Sequence, residues 1–237
     1  MLPYPIVMTT FERPEVCQKS IESLEKSEVD LSYFHIYDDH SVGTHKIKQL
    51  NELSNKYTVI KREKNMGTVL NTIPAIQDMF IKYSSEFIIF LQDDVIFSRS
   101  WLIKGIELIR EINQRNHIAF LCLFNRDEKH QEKYYIMNVG HPGGVAWIIN
   151  RFWWYDYQKK HNLDDDMALL LKFEKDRSIP YKVKNLVDFK LAHRAHTTGW
   201  DVAKVGQSLV QHIGDISSLS NRDMAFCRTK NFVGENE

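Results

Sequence analysis

Through the first half of the chain, short apolar runs alternate with stretches of helical period. Residues 4–9 form a run suited to a buried strand, and Thr10-Phe-Glu-Arg-Pro14 breaks it. Residues 13–26 then carry Val16, Cys17, Ser20, Ile21 and Leu24 on one helical face. The alternation predicts further strands over 33–37, 57–61 and 86–91, and helices over 44–53 and 67–83. Pro74 is tolerable only near the first turns of the last helix. Repeated strand–helix order specifies an α/β fold, a mostly parallel central sheet with helices on both faces. Ligands of such sheets lie beyond the carboxyl ends of the strands. Thr9-Thr10, Asp38-Asp39, Asn65 to Gly67 and Asp93-Asp94 all fall there.

The second half is less regular. Helices are expected over 99–115, 151–160 and 164–175, and strands over 117–123, 134–139 and 145–149. Gly140-His-Pro-Gly-Gly144 is a loop between two of these strands. From about residue 179 the pattern reads as short strands and loops, ending in a polar tail expected to be mobile after about residue 231. No repeat, low-complexity stretch or linker divides the chain, so residues 1–237 read as one domain.

Charge narrows the partners. The 237 residues carry 31 basic and 31 acidic side chains, a net charge of zero. Such a chain lacks the field that steers proteins to polyanions, although Lys159, Lys160, Lys172, Lys182, Lys184 and Arg194 offer a local basic cluster. Cys17, Cys122 and Cys227 are too few and too far apart for a disulfide framework or a zinc site. With no signal-peptide pattern and no long apolar stretch, a cytoplasmic protein with reduced thiols is expected.

Candidate chemistry gathers in three segments. In Phe87-IIFLQDDVIF-Ser98 an apolar strand runs straight into Asp93 and Asp94, leaving two mutually repulsive, partly desolvated carboxylates at a sheet edge. A divalent cation relieves that repulsion, and hard oxygen ligands suit Mg²⁺ or Mn²⁺. The same acids also read as turn or capping residues. In Asn162-LDDDMALLLKF, three acids suit the positive end of a helix, or one of them serves as a general base. In Ser208-LVQHIGDISSL-Ser220, His212 reads either as a core histidine or as a metal ligand. Gly143 and Gly144 permit close approach to a ligand or make a tight turn. His193 and His196 share one face of an extended strand, as an ion-binding pair or polar surface. The aromatic run Phe152-Trp-Trp-Tyr155 with Tyr157 either stacks on a ligand or fills the core.

The order PIVMTTFERPE, YDDHS, KNMGTVLN and FLQDDVIFSRSWL resembles the donor half of GT-A glycosyltransferases, particularly the inverting family two. QDDVIFSRSWL also resembles the Glu-Asp-Asp motif of N-acetylglucosaminyltransferases, and Val210-Gln-His-Ile-Gly-x-x-Ser-Ser-Leu219 resembles a C-terminal segment of such enzymes. The resemblance implies a Rossmann-like GT-A fold, with a nucleotide-sugar-binding half over about 1–98 and an acceptor-binding half over about 99–230. It makes Asp94 the metal ligand, with His212 completing the shell from across the cleft. Asp93 would contact ribose or sugar, and Asp38 or Asp39 the base or ribose. Thr9, Thr10 and Arg13 would line the nucleotide pocket with Asn65 and Gly67, and Gly143 and Gly144 would shape the sugar pocket. Asp165-Asp166-x-x-Leu169 resembles the Glu-Asp-x-x-Leu of inverting enzymes, which makes Asp166 the base, with Asp165 next. Gln92 departs from the acidic triplet and contributes no charge to the metal.

These residues imply a hexosyl- or pentosyltransferase that uses Mn²⁺ or Mg²⁺ and a UDP-linked sugar, with inversion. The acceptor hydroxyl belongs to a saccharide, a protein side chain, a lipid-linked sugar or a hydroxymethylated base in DNA. Two rivals share the fold. A nucleotidyltransferase would carry a glycine-rich basic phosphate loop, of which Thr9-TFERP-Glu15 is a poor version. A catalytically inactive nucleotide-sugar-binding protein would keep the pocket without turnover.

Overall fold

The computed structural model describes residues 3–127, 132–137, 143–168, 186–214, 229 and 232–236. The first half follows the alternation: β1 (Ile6–Thr10), α1 (Pro14–Lys26), β2 (Phe34–Asp38), α2 (Thr44–Leu53), β3 (Thr58–Lys61), α3 (Gly67–Lys82) and β4 (Phe87–Gln92). After it come β5 (Val95–Phe97), α4 (Trp101–Asn113), β6 (Ile118–Cys122), β7 (Tyr134–Met137), β8 (Ala146–Asn150) and α5 (Arg151–Lys160). Helix α6 (Leu186–Thr197), β9 (Asp201–Val205) and β10 (Val210–His212) complete the set, with residues 163–168 also helical.

The eight-stranded sheet has the order β3-β2-β1-β4-β8-β6-β9-β7. Strands β1 to β4 are mutually parallel, and β6 and β9 point the same way. Only β8 and β7 run against them. Strand period two divides the core into two layers. Ile6 and Met8 of β1 face one way, into a layer with Ile21, Leu24, Leu50, Trp101 and Ile109 of α1, α2 and α4. Val7 faces the other, with Ile73, Ile76, Phe80, Trp153, Trp154, Tyr157 and Leu191 of α3, α5 and α6. Within the aromatic run, Trp153, Trp154 and Tyr157 are therefore core, while Phe152 and Tyr155 are exposed.

Some expectations change. Pro74 lies inside α3, beyond its first turns. The helix keeps it because Val69, Ile73, Ile76, Met79 and Phe80 bury a continuous apolar face, which outweighs one lost backbone hydrogen bond. The stretch after residue 185 is a helix, so His193 and His196 sit on α6 and not on a strand. The tail is anchored: Phe232 is buried and pairs with Ser208, and Val233 N donates to the Ser208 carbonyl at 3.0 Å. Lys172, Lys182 and Lys184 lie outside the described residues, as does helix 164–175 beyond residue 168. Of the basic cluster that remains, Lys160 donates to the Thr198 carbonyl and Arg194 is held by Asp166. No helix among the described residues is long and apolar enough to cross a membrane.

Candidate active site at the carboxyl edge of the sheet

Parallel pairing of β1 with β2 and β4 brings Thr9-Thr10, Asp38 and Gln92 to one edge of the sheet, and Asp93 and Asp94 form the turn just beyond. That turn is clamped from beneath by α1. Ser20 Oγ lies 2.9 Å from the Asp93 carbonyl and 2.6 Å from that of Val95, and accepts from Val95 N at 2.8 Å. Both carboxylates are buried. Thr10 Oγ1 donates to Asp93 Oδ2 at 2.5 Å. The Arg13 guanidinium spans the pair, with Nη2 on Asp93 Oδ1 at 2.6 Å and Nη1 on Asp94 Oδ2 at 3.0 Å.

A distant segment closes the site from the other side. Antiparallel pairing of β10 with β5 sets His212 opposite Val95, and Ile213 N donates to the Asp94 carbonyl at 2.8 Å. This places His212 Nε2 3.3 Å from Asp94 Oδ2. Burial disfavours charge on Asp94, but the hydrogen bond and charge of His212 and the Arg13 guanidinium outweigh it and hold the carboxyl at about 2. Asp93 is shifted the other way, because burial and the neighbouring Asp94 outweigh Arg13. Asp94 Oδ1 and His212 Nδ1 are buried without a hydrogen-bond partner among the described residues.

The acids after β2 are used by the loops. Asp38 accepts from Ser41 N at 2.9 Å and Ser41 Oγ at 2.6 Å. Asp39 accepts from Met66 N at 2.7 Å and Gly67 N at 2.9 Å, so it caps α3 from another strand. Asn65 Nδ2 reaches the Asp39 carbonyl at 3.3 Å. Gly67, with φ 80°, needs the left-handed region that glycine enters freely.

Gly143 and Gly144 lead into β8, and Val145 O accepts from Gln92 N at 2.8 Å, so this loop lies against the acidic turn. A Cβ on Gly144 would stand 3.7 Å from both Gln92 Nε2 and Asp188 Oδ2. Asp188, in the first turn of α6, is buried, and its Oδ1 accepts from Phe189 N at 3.0 Å. The sequence reading missed it. Its signal was present, since Asp188-x-x-Leu191 repeats the spacing of Asp166-x-x-Leu169, and Val187, Leu191, Ala192 and Ala195 have helical period.

Asp166 has different surroundings. Its buried carboxylate accepts Arg194 Nε at 2.8 Å, Arg194 Nη2, Lys190 Nζ at 3.3 Å and the Tyr157 hydroxyl at 3.0 Å. Burial disfavours its charge, and the bonds from Arg194 and Tyr157 outweigh that, holding the carboxyl below its ordinary range. No described contact joins it to Asp93 or Asp94. Asp165 is exposed on the same turn.

A scan of protein-family models and a search of curated proteins found no match. Among solved structures, a fragment of S. aureus TarS in complex with UDP-GlcNAc aligns at TM-score 0.60 and 14% identity, over 88% of this chain and 58% of that one. GalNAc-T7 with UDP, GalNAc and Mn²⁺ aligns at 0.62 and 14%, over 90% and 44%. A mannosyltransferase from Pyrobaculum calidifontis with GDP-Man and Mn²⁺ aligns at 0.53 and 9%, over 84% and 53%. All three are GT-A glycosyltransferases, and the chain has the GT-A fold. It spans about half the length of these structures.

Proposed function

We propose that the chain is a glycosyltransferase that moves a sugar from a nucleotide diphosphate donor to an acceptor hydroxyl, with inversion. One observation carries the reading: on a GT-A fold, the buried Asp93–Asp94 pair and His212 converge at the carboxyl edge of β1, β2 and β4. TarS was solved with UDP-GlcNAc and GalNAc-T7 with UDP, which favours a UDP-linked donor.

The residues fit a divalent cation. Asp94 Oδ1 is a buried acceptor without a hydrogen-bond partner among the described residues, and His212 Nε2 lies beside the same carboxylate. Two protein ligands suit Mn²⁺ or Mg²⁺, which complete their shells with phosphate oxygens and water. When bound, such an ion stabilises charge on a departing diphosphate. The nucleotide would lie over Thr9, Thr10, Asp38, Asp39, Asn65 and Gly67, with the sugar beside Gly143 and Gly144.

The base assignment moves from the 165–166 pair to Asp188. All the faces of the Asp166 carboxylate are taken by cations and a phenol, so it ties α5 to α6. Asp165 lies on that same segment, away from the described contacts of the acidic turn. Asp188 Oδ2 and Gln92 Nε2 each lie 3.7 Å from where a Gly144 Cβ would stand, which places Asp188 beside the residue that leads into the acidic turn. In the proposed step the acceptor oxygen bonds to the anomeric carbon as the bond to the diphosphate breaks. The hydroxyl proton passes to the Asp188 carboxylate.

Release of nucleotide diphosphate from a donor panel, with and without Mn²⁺, tests the reading. Asp188→Asn should lower kcat by about 10²–10⁴ with donor binding retained, and Asp94→Ala should abolish the response to Mn²⁺. Asp166→Asn should instead lose about 2 kcal/mol of stability, because the partly buried Arg194 and Lys190 lose their charged hydrogen-bond acceptor. A stable Asp166→Asn protein without turnover, beside an active Asp188→Asn protein, would return the role to Asp166.

A further inference from the structure

The carboxylate pair already has cations of its own. Arg13 bonds to both acids at once, and Lys46, fully buried on α2 with Gln49 Oε1 at 3.1 Å, adds a second positive charge that acts on Asp93. Two carboxylates therefore face two cations with no metal counted.

Arg13 is held in this position by the backbone. Glu12 and Arg13 have φ of 50° and 47°, consecutive non-glycine residues in the left-handed region just before Pro14 opens α1. Such strained conformations persist only where the surroundings enforce them. Glu12 supplies part of that enforcement, accepting Val42 N at 2.7 Å and donating its own N–H to Ser41 Oγ at 2.8 Å. On the opposite side the chain passes so close that a Cβ on Gly214 would stand 2.7 Å from Asp94 Oδ2 and 3.2 Å from Arg13 Nη1.

Asp94 Oδ2 is thus shared by Arg13 Nη1 at 3.0 Å and His212 Nε2 at 3.3 Å. A divalent ion held by Asp94 and His212 would share the Asp94 carboxylate with the guanidinium, a like charge in a water-poor site. We infer that Arg13 is a resident counter-cation of the acidic pair, which a divalent cation must displace from Asp94. Arg13 then keeps the site's affinity for free metal low, and an anionic diphosphate offers the freed guanidinium a new partner. Metal and donor consequently bind with positive cooperativity. The inference rests on the metal site proposed above.

The test uses Mn²⁺ alone with the full chain, read by the electron paramagnetic resonance signal of free Mn²⁺ and by Tm. Arg13→Met should bind Mn²⁺ at least tenfold more tightly than the parent protein, and Mn²⁺ should raise its Tm more. That gain should vanish in Arg13→Met/Asp94→Asn. Equal or weaker binding by Arg13→Met overturns the inference, as does a gain that survives loss of Asp94. Should Arg13→Met fail to fold, Arg13→Lys serves. Its ammonium is a point charge that does not bridge two carboxylates, so it should show a smaller gain in the same direction, and no gain overturns the inference. Because no nucleotide is present, tighter Mn²⁺ binding here beside no nucleotide diphosphate release in the donor-panel assay would sink the proposed function and leave the role of Arg13 standing.

Discussion

Gly214 shows how much of this site depends on one missing methyl group. An alanine Cβ there would sit 2.7 Å from Asp94 Oδ2 and 3.1 Å from Asp94 Cβ, and the carboxylate is pinned by Arg13 and His212. Neither neighbour yields without breaking a charged hydrogen bond. Gly214→Ala should therefore lose about 1–3 kcal/mol in urea unfolding, and an unchanged midpoint would mean that the loop moves freely. Asp93 and Asp94 stood out because they follow an apolar run, and His212 through the resemblance of its segment. The closeness of Gly214 was not, because it depends on which loop folds over the turn. The resemblance implied Arg13 as a pocket residue, but its grip on both carboxylates needs the left-handed backbone at residues 12 and 13, which the sequence does not announce.

At the scale of elements, helix α3 starts without a cap of its own. Met66 offers no side-chain oxygen, and the first amides are taken by Asp39 from the end of β2. Asp39→Ala should cost about 1 kcal/mol, the usual worth of a capping side chain. Urea unfolding without donor measures it, and loss of donor affinity with stability unchanged would assign Asp39 to the ligand alone. Elements of strong period were legible: α2 and α5 fall at the expected residues, and the strands differ by a residue or two at their ends. Helix α6 was not, because its buried face carries Asp188 and two alanines beside Val187 and Leu191, a weak apolar signal. With it the reading lost Asp188, the acid proposed above as the base. Strand β5 escaped for another reason: three residues become a strand only through a partner more than a hundred positions away.

For the whole molecule, two sets of buried groups divide the acid response. His35 lies under α3 with Nε2 2.7 Å from the Tyr83 hydroxyl and its ring edge-on to that of Tyr83. Burial, and to a lesser extent Lys82, hold its pKa down to about 4 from 6.5. Its folded value lies below the unfolded one, so the unfolded chain takes up a proton that the native state refuses. Stability present above pH 6.5 is then lost as pH falls toward 4, and this contribution levels off below that. Asp94, held at about 2, and Asp166, also lowered, act in a more acidic window. Their stabilisation persists above the ordinary carboxylate range and disappears only as pH falls through their folded values. Urea unfolding at pH 7, 5.5, 4.5 and 3 should accordingly show two successive losses. His35→Gln removes the titrating ring, so it should flatten the loss between pH 6.5 and 4.5 while leaving the steeper loss below pH 4 in place. The same slope in both proteins over the upper window would mean that His35 already carries its proton in the fold, and that the hydrogen bond to Tyr83 is made by a charged ring.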